Sequence, residues 1–260
     1  MNRRDYRSDK AFNQSFLKKF LISPAHALAS VGNPPTANME FGSALHNYVL
    51  EPDTFFDRYH VFDKVNWTTK EGKAQKADVE RICATTGAKQ LPGADFARIN
   101  AMWDAITDNK TAAGYIFGGD GHNECPLFWD CHFTGAPCKA LLDRVIPGTA
   151  IVDLKKIGKP ATLKAVWNQV FDFGYDFQGA FYQEGWRKLT GETLPFILVF
   201  VEDEPPYGVR VVQLDPEMMP VMLNKCVRAL ERALECQQSG HWPAYPQEVL
   251  TIGERRPSNE

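Results

Sequence analysis

No stretch of 18 apolar residues occurs in this 260-residue chain, so nothing in it reads as a transmembrane helix. The opening MNRRDYRSDK lacks the apolar segment of a secretory signal, and a cytoplasmic protein without membrane contact is expected. CxxC pairs are missing too. Cys83, Cys125, Cys131, Cys138, Cys226 and Cys236 are too scattered for a zinc site and are expected to be buried thiols, with no structural metal. Neither charge dominates: 29 Lys and Arg against 32 Asp and Glu give a formal net charge of −3. That excludes a surface coated in basic residues, but not a local groove for an anionic polymer. Internal repeats and low-complexity stretches are absent as well. What is present is 44% hydrophobic residues, enough for a substantial core.

The pattern along the chain predicts helices first and strands later. A short helix is expected around Ser15 to Phe20, another from Ser23-Pro24, and a longer one from Met39 to Leu50, where Phe41, Ala44, Leu45, Tyr48 and Val49 recur at helical spacing. His46 lies at the edge of that stripe, where a histidine is usually a hydrogen-bonded packing residue. Residues 64 to 76 read as a polar loop, followed by a helix through Ile82 and another around Phe96 to Asn109. From Glu124 the pattern turns to strands: ECPLFWDCHF, a turn at Thr134 to Pro137, and two more strands, together a meander. Beyond Pro160 come amphipathic helices, including Tyr175 to Leu189, on which Gln178 and Tyr182 share a face. A hairpin is expected from Phe196–Val201 and Val209–Leu214, then a helix from Asp215-Pro216 through Cys236 and a polar, extended tail from Gly240.

The stretch from Cys138 to Lys155, CKALLDRVIPGTAIVDLK, carries the chemistry. If Pro147, Gly148 and Thr149 form a three-residue loop, Ile146 faces Ala150 and Asp143 falls opposite Asp153, with Cβ atoms roughly 5 Å apart. Period-2 alternation then puts Lys155 on the same face as Asp153. Two facing carboxylates do not both ionise easily unless a cation lies between them, and oxygen ligands favour Mg²⁺ or Mn²⁺ over zinc. Lys155 could orient an attacking water or offset charge on a phosphorane-like transition state, an arrangement suited to a metal-dependent nuclease. The bland alternative is a solvated salt-bridge ladder. It is disfavoured by the apolar setting of Leu141, Leu142, Val145, Ile146, Ile151, Val152 and Leu154. Basic residues flank the site in sequence (Arg144, Lys155, Lys156, Lys159, Lys164) and the start of the chain (Arg3, Arg4, Arg7, Lys10, Lys18, Lys19).

With these residues placed, the chain resembles the exonuclease VIII (RecE) family of phage recombination nucleases, within the PD-(D/E)xK superfamily that includes lambda exonuclease and RecB-type nucleases. The likeness runs through SFLKKFLISPAHALA, FGSALHNYVLEPDTF, TKEGKA, LLDRVIPGTAIVDLKK and YDFQGAFYQEGW, in that order. It implies an α/β restriction-endonuclease-like core, a mixed β-sheet flanked by helices, in a single nuclease domain over residues 1–260. A helical section would occupy about 1–120, the catalytic sheet and helices about 121–240, and a polar tail 241–260. It further implies that His46, Asp143, Asp153 and the backbone carbonyl of Leu154 hold the metal, that Lys155 is the catalytic lysine, and that Gln178 and Tyr182 lie beside the scissile phosphate. Glu124 is a weaker candidate, in the position of a family acid ahead of the hairpin. The implied activity is Mg²⁺-dependent 5′-to-3′ digestion of double-stranded DNA, exposing 3′ strands for an annealing protein, by a homo-oligomeric ring of three or four copies. An endonuclease or single-strand nuclease would use the same acids. An iron-sulfur relative would need three cysteines clustered near the C-terminus, where only Cys226 and Cys236 lie. A non-catalytic DNA-binding module would not need the His46, Asp143, Asp153, Lys155 and Gln178 set. The sequence departs from the family in having Leu142 before Asp143, Asp153 rather than Glu, and Lys156 where a small hydroxyl residue is common.

Overall fold

Two strand sequences with few polar positions, AIVDLKKI and FILVFVE, require cover on both faces. The computed structural model, which describes residue 6 and residues 8–63 and 65–249, provides it. The chain runs through α1 (Gln14–Leu17), a 3-10 turn (Lys18–Leu21), α2 (Pro24–Ala29), α3 (Ala37–Leu50) and α4 (Phe55–Arg58). Next come β1 (Tyr59–Phe62), α5 (Lys70–Thr86), β2 (Lys89–Pro92), α6 (Gly93–Asp108) and α7 (Lys110–Phe117). The main sheet follows: β3 (His122–Asp130), β4 (Pro137–Ile146), β5 (Ala150–Ile157), α8 (Leu163–Asp172), α9 (Tyr175–Thr190), β6 (Phe196–Glu202), β7 (Val209–Gln213) and α10 (Met219–Ser239).

The five strands lie in sequence order, antiparallel except for the parallel β5–β6 pair, whose crossover is α8 and α9. Alternation along β6 divides the interior. Phe196, Leu198 and Phe200 pack with α9, α10 and α1, while Ile197, Val199 and Val201 pack with α3, α6 and α7. The expected mixed sheet with helices on its faces, and the hairpin in its middle, is what the chain forms. Gly179 and Gly185 let α9 lie close to the sheet: a Cβ at 179 would meet Leu214 at 2.8 Å, and one at 185 would meet Trp129 at 2.7 Å. A helical glycine costs about 1 kcal/mol relative to alanine, and here it sets how near Gln178 comes to β5.

Several elements depart from the expected pattern. Helix α5 begins at Lys70, inside the expected loop, because the Thr69 side chain accepts from the Gly72 N–H and starts it early. The β1–β2 parallel pair and α7 were not expected; four-residue strands and an eight-residue helix leave little periodicity to read. Cys131 to Phe133 leave the strand for a turn, with Gly135 N–H on the Cys131 carbonyl. Of the cysteines expected to be buried, Cys83 and Cys125 are only half-buried. The tail is docked at its start rather than free, with the Ala25 N–H on the Pro243 carbonyl and Trp242 against Phe16 and Phe20. Arg3, Arg4 and Arg7, and the tail from residue 250, lie outside the described residues.

Arg144 is buried, and among the described residues no carboxylate pairs with it. Its guanidinium donates to the carbonyls of Tyr115 (3.0 Å) and Gly118 (2.6 Å) and to Asn123 Oδ1 (2.7 Å), closing the C-terminal end of α7 onto β4. Arg144→Met should strand those acceptors and cost about 3 kcal/mol. Urea unfolding should show a lower midpoint at unchanged slope; an unchanged midpoint would mean that the contacts contribute nothing.

Candidate metal centre

The hairpin register is the expected one, with Ile146 opposite Ala150, Val145 opposite Ile151 and Arg144 opposite Val152. Pairing then stops, one residue short of Asp143 and Asp153. On the other side of β4, Asn123 pairs with Arg144 and Cys125 with Leu142, so Glu124 falls opposite Asp143 but outside the ladder. Three acids therefore occupy one row across β3, β4 and β5. Glu124 has φ +49, a conformation that non-glycine residues seldom adopt, and the in-out alternation of β4 changes phase here, since Leu142 and Val145 enter the same core. Beyond this row β4 and β5 separate. The edge that β5 leaves is taken up by the backbone of Phe12, whose N–H donates to the Pro137 carbonyl (2.9 Å) and whose carbonyl accepts from Lys139 N–H (2.8 Å).

The mouth of this split collects the candidate residues. The Asp143 carboxylate takes the place of a backbone acceptor, its Oδ2 receiving the Leu154 N–H at 2.9 Å. From α3, His46 Nδ1 reaches the same oxygen at 3.2 Å. Single ligand atoms of His46, Glu124 and Asp143 lie within 4.8 Å of one another. Two ligands on opposite sides of a Mg²⁺ ion with ~2.1 Å bonds are about 4.2 Å apart, so a small contraction would close this set on a hard cation. Glu124 thus joins the centre more closely than its sequence position suggested. Asp153 is turned elsewhere: its Oδ1 accepts from Gln178 Nε2 at 2.6 Å, and its Oδ2 lies against the Lys155 ammonium. Lys155 Nζ also sits 4.5 Å from the centre of the Tyr175 ring. Tyr182 is buried one turn beyond Gln178, and burial together with the nearby carboxylates raises its pKa well above the ordinary value, which keeps its hydroxyl protonated. Lys156 points to the opposite face, where its Nζ donates to Asp203 Oδ2 at 2.7 Å, so this departure from the family does not touch the site.

Burial and the charge of Asp143 push the Asp153 carboxyl up to about 6, although Lys155 and His46 oppose the change. For His46, burial disfavours the charged ring, but the charge and hydrogen bond of Asp143 outweigh it and the pKa rises. Burial acts against the ionised Asp143 too; His46, Lys155 and the Leu154 N–H overcome it and hold this carboxyl below the usual range. Three acids converging in a partly buried site, one of them reluctant to ionise, are the electrostatic condition that a divalent cation relieves. The donor set fits such an ion.

Residues 13–252 match the model of the family described as "PDDEXK-like domain of unknown function (DUF3799)". The chain belongs to this family. Among solved structures, a "putative exonuclease" from Eubacterium rectale superposes on the PDDEXK-like chain with a TM-score of 0.69 at 19% identity, covering 98% of this chain and 96% of that one. That likeness shows a common fold. SSO0001 aligns over 84% of this chain and 85% of its own at 12% identity, with a TM-score of 0.33, which carries no structural argument. No curated protein matches the chain. Among the described residues, no helix is long and apolar enough to cross a membrane.

The titrations give a test. Raised pKa values at Asp153 and His46 favour the protonated forms in the folded, metal-free protein. Their stabilising contribution is complete below the unfolded-state values and is lost as pH rises through about 6 for Asp153 and through the raised His46 value. Asp143, with its lowered pKa, contributes in the opposite sense, and its share is lost only as pH falls below the usual carboxylate range. Saturating Mg²⁺ or Mn²⁺ should therefore raise the Tm more at pH 8 than at pH 5.5, and binding should release protons in a calorimeter. Equal stabilisation at both pH values would show that these groups do not hold the ion.

Proposed function

We propose that the protein is a Mg²⁺-dependent deoxyribonuclease, for which Mn²⁺ can substitute, that digests linear double-stranded DNA from an end in the 5′-to-3′ direction. The observation that carries the reading is the row Glu124, Asp143 and Asp153 at the split between β4 and β5, with Lys155 beside it. His46, Glu124 and Asp143 would hold the ion, with Asp153 and the Leu154 carbonyl completing its surroundings. When bound, the ion would supply Lewis acidity to a phosphate oxygen and lower the pKa of a water. Lys155 presents an ammonium to charge developing on the phosphate, and Asp153 holds that ammonium in place. Gln178, brought close to β5 by Gly179 and Gly185, holds Asp153. Tyr182 remains a neutral donor for a phosphate oxygen.

End dependence rests on the motif order shared with exonuclease VIII and on the name of the Eubacterium rectale relative in fold. The same resemblance supports a ring of three or four copies in the cytoplasm, passing its 3′ strand to an annealing protein. In Mg²⁺, linear duplex should be digested and a closed circle of the same sequence spared until it is cut once. Digestion of the intact circle would favour the endonuclease alternative and leave the chemistry of the acids intact.

A further inference from the structure

The N-terminal section joins the free edge of β4 to the turn before α9. Phe12 occupies the β4 edge that β5 leaves, and α1 with the 3-10 turn after it carries the chain on. Leu17 and Phe20 are buried in the core and fix the backbone of Lys18 between them. Lys18 then reaches the turn between α8 and α9, where its Nζ donates to the Phe173 carbonyl at 2.6 Å. Gly174 leaves room for this approach: its φ is +63, and a Cβ there would meet the lysine stem at 2.6 Å.

Phe173, Gly174 and Tyr175 thus bring two ammonium groups to one short segment. Lys18 sits on the carbonyl of the first residue, and Lys155 Nζ lies 4.5 Å from the ring of the third. Lys155 has Asp153 as its counter-ion. Among the described residues Lys18 has no such ion pair, and of the three donors an ammonium offers, the Phe173 carbonyl takes one. Burial, the charge of Lys155 and that of Lys19 all act against a charged Lys18 and lower its pKa to about 8, although Asp153 and Asp176 pull the other way. A neutral donor would hold the same carbonyl without this repulsion. What the position gains from a lysine is the charge.

We propose that Lys18 is a substrate-binding residue, its ammonium holding the phosphate of the DNA strand next to the one that Lys155 faces. The proposal deepens the nuclease reading and rests on it for the placing of the scissile phosphate at Lys155. Successive phosphates of one strand are the anions that two separate ammonium groups at one site match, and a negative charge arriving beside Lys18 offsets the repulsion between the lysines. A compact ammonium on a flexible stem suits a phosphate contact of this kind. A purely structural Lys18, pinning the α8–α9 turn, would need the hydrogen bond and not the charge.

The experiment separates these two. Full-length wild type, Lys18→Gln and Lys18→Arg would be titrated with linear duplex DNA in Ca²⁺ at pH 7, by anisotropy over a range of salt concentrations. Glutamine still carries a donor for the Phe173 carbonyl but no charge. Binding by Lys18→Gln should weaken about tenfold, and the slope of log affinity against log salt should become shallower by about one, the signature of one lost phosphate contact. Lys18→Arg should keep the wild-type slope. So should Lys188→Met, which removes an exposed lysine at the far end of α9. In Mg²⁺ the loss in Lys18→Gln should fall on KM more than on kcat. A wild-type slope and KM in Lys18→Gln would overturn the proposal. So would a wild-type slope with a large fall in Tm, the mark of a turn clamp, or an equal loss of slope in Lys188→Met. Because binding in Ca²⁺ needs no cleavage, a Lys18-dependent slope in a protein that digests no DNA in Mg²⁺ would refute the nuclease reading and keep the phosphate contact.

Discussion

Asp153→Asn is expected to lower DNA cleavage by roughly a thousandfold or more while the fold persists. The substitution is nearly isosteric, and an amide oxygen in place of Oδ1 can still accept from Gln178. It removes a negative charge that is 1% exposed, faces Asp143, and ionises only reluctantly, with its carboxyl pushed up to about 6. Without metal, keeping that carboxylate ionised at pH 8 opposes folding, so loss of the charge offsets loss of the partner to Lys155. The Tm of the metal-free variant should lie within a few degrees of wild type at pH 8, and its stabilisation by Mg²⁺ should shrink. Cleavage at the wild-type rate would remove Asp153 from the site, and gross unfolding would make it a structural residue.

Lys155→Met separates the ion's holders from the cation that acts beside it. The ammonium is half-buried, paired to Asp153 and set over Tyr175, and the charges of Asp153 and Asp143 raise its pKa although burial works against it. It is therefore a fixed positive charge and not a base. Methionine preserves most of the side-chain volume and removes the charge. Turnover should fall by roughly a hundredfold to a thousandfold, the range typical of losing one preorganised donor to transition-state charge. Divalent-ion affinity should stay the same or tighten, because a competing positive charge has gone from the site. Weaker ion binding with near-normal turnover at saturating Mg²⁺ would reverse the assignment and make Lys155 a structural prop for the acids.

Much of this site could be read from the sequence, for reasons that particular residues make clear. The Pro147-Gly148-Thr149 loop sets the register arithmetically, so the pairing of Ile146 with Ala150 followed without any knowledge of the helices, although the ladder stops one pair short of Asp143 and Asp153. That Gln178 and Tyr182 share a helix face was legible from their spacing, and the Asx-Pro cap at Asp215 located the last helix. The placement of Glu124 beside Asp143 could not be read locally: it depends on a positive φ and a lapse in strand pairing, and composition records neither. The Lys18 contact with the Phe173 carbonyl spans 155 residues and has no local signature; burial and the neighbouring Lys155 lower the Lys18 pKa to about 8. The β1–β2 pair was missed because four-residue strands paired in parallel depend on α5 between them, not on their own alternation.

The central claim is that Glu124, Asp143, Asp153 and Lys155 form a metal-dependent phosphodiesterase. It is tested most directly by incubating the purified protein with linear duplex DNA labelled at the 5′ or the 3′ end, with Mg²⁺ or with excess EDTA, beside the Asp143→Asn variant. The 5′ label should be released early and the 3′ label late, by wild type alone and only when the ion is present. Duplex left intact by wild type in both Mg²⁺ and Mn²⁺, or digested equally well in EDTA, would contradict it.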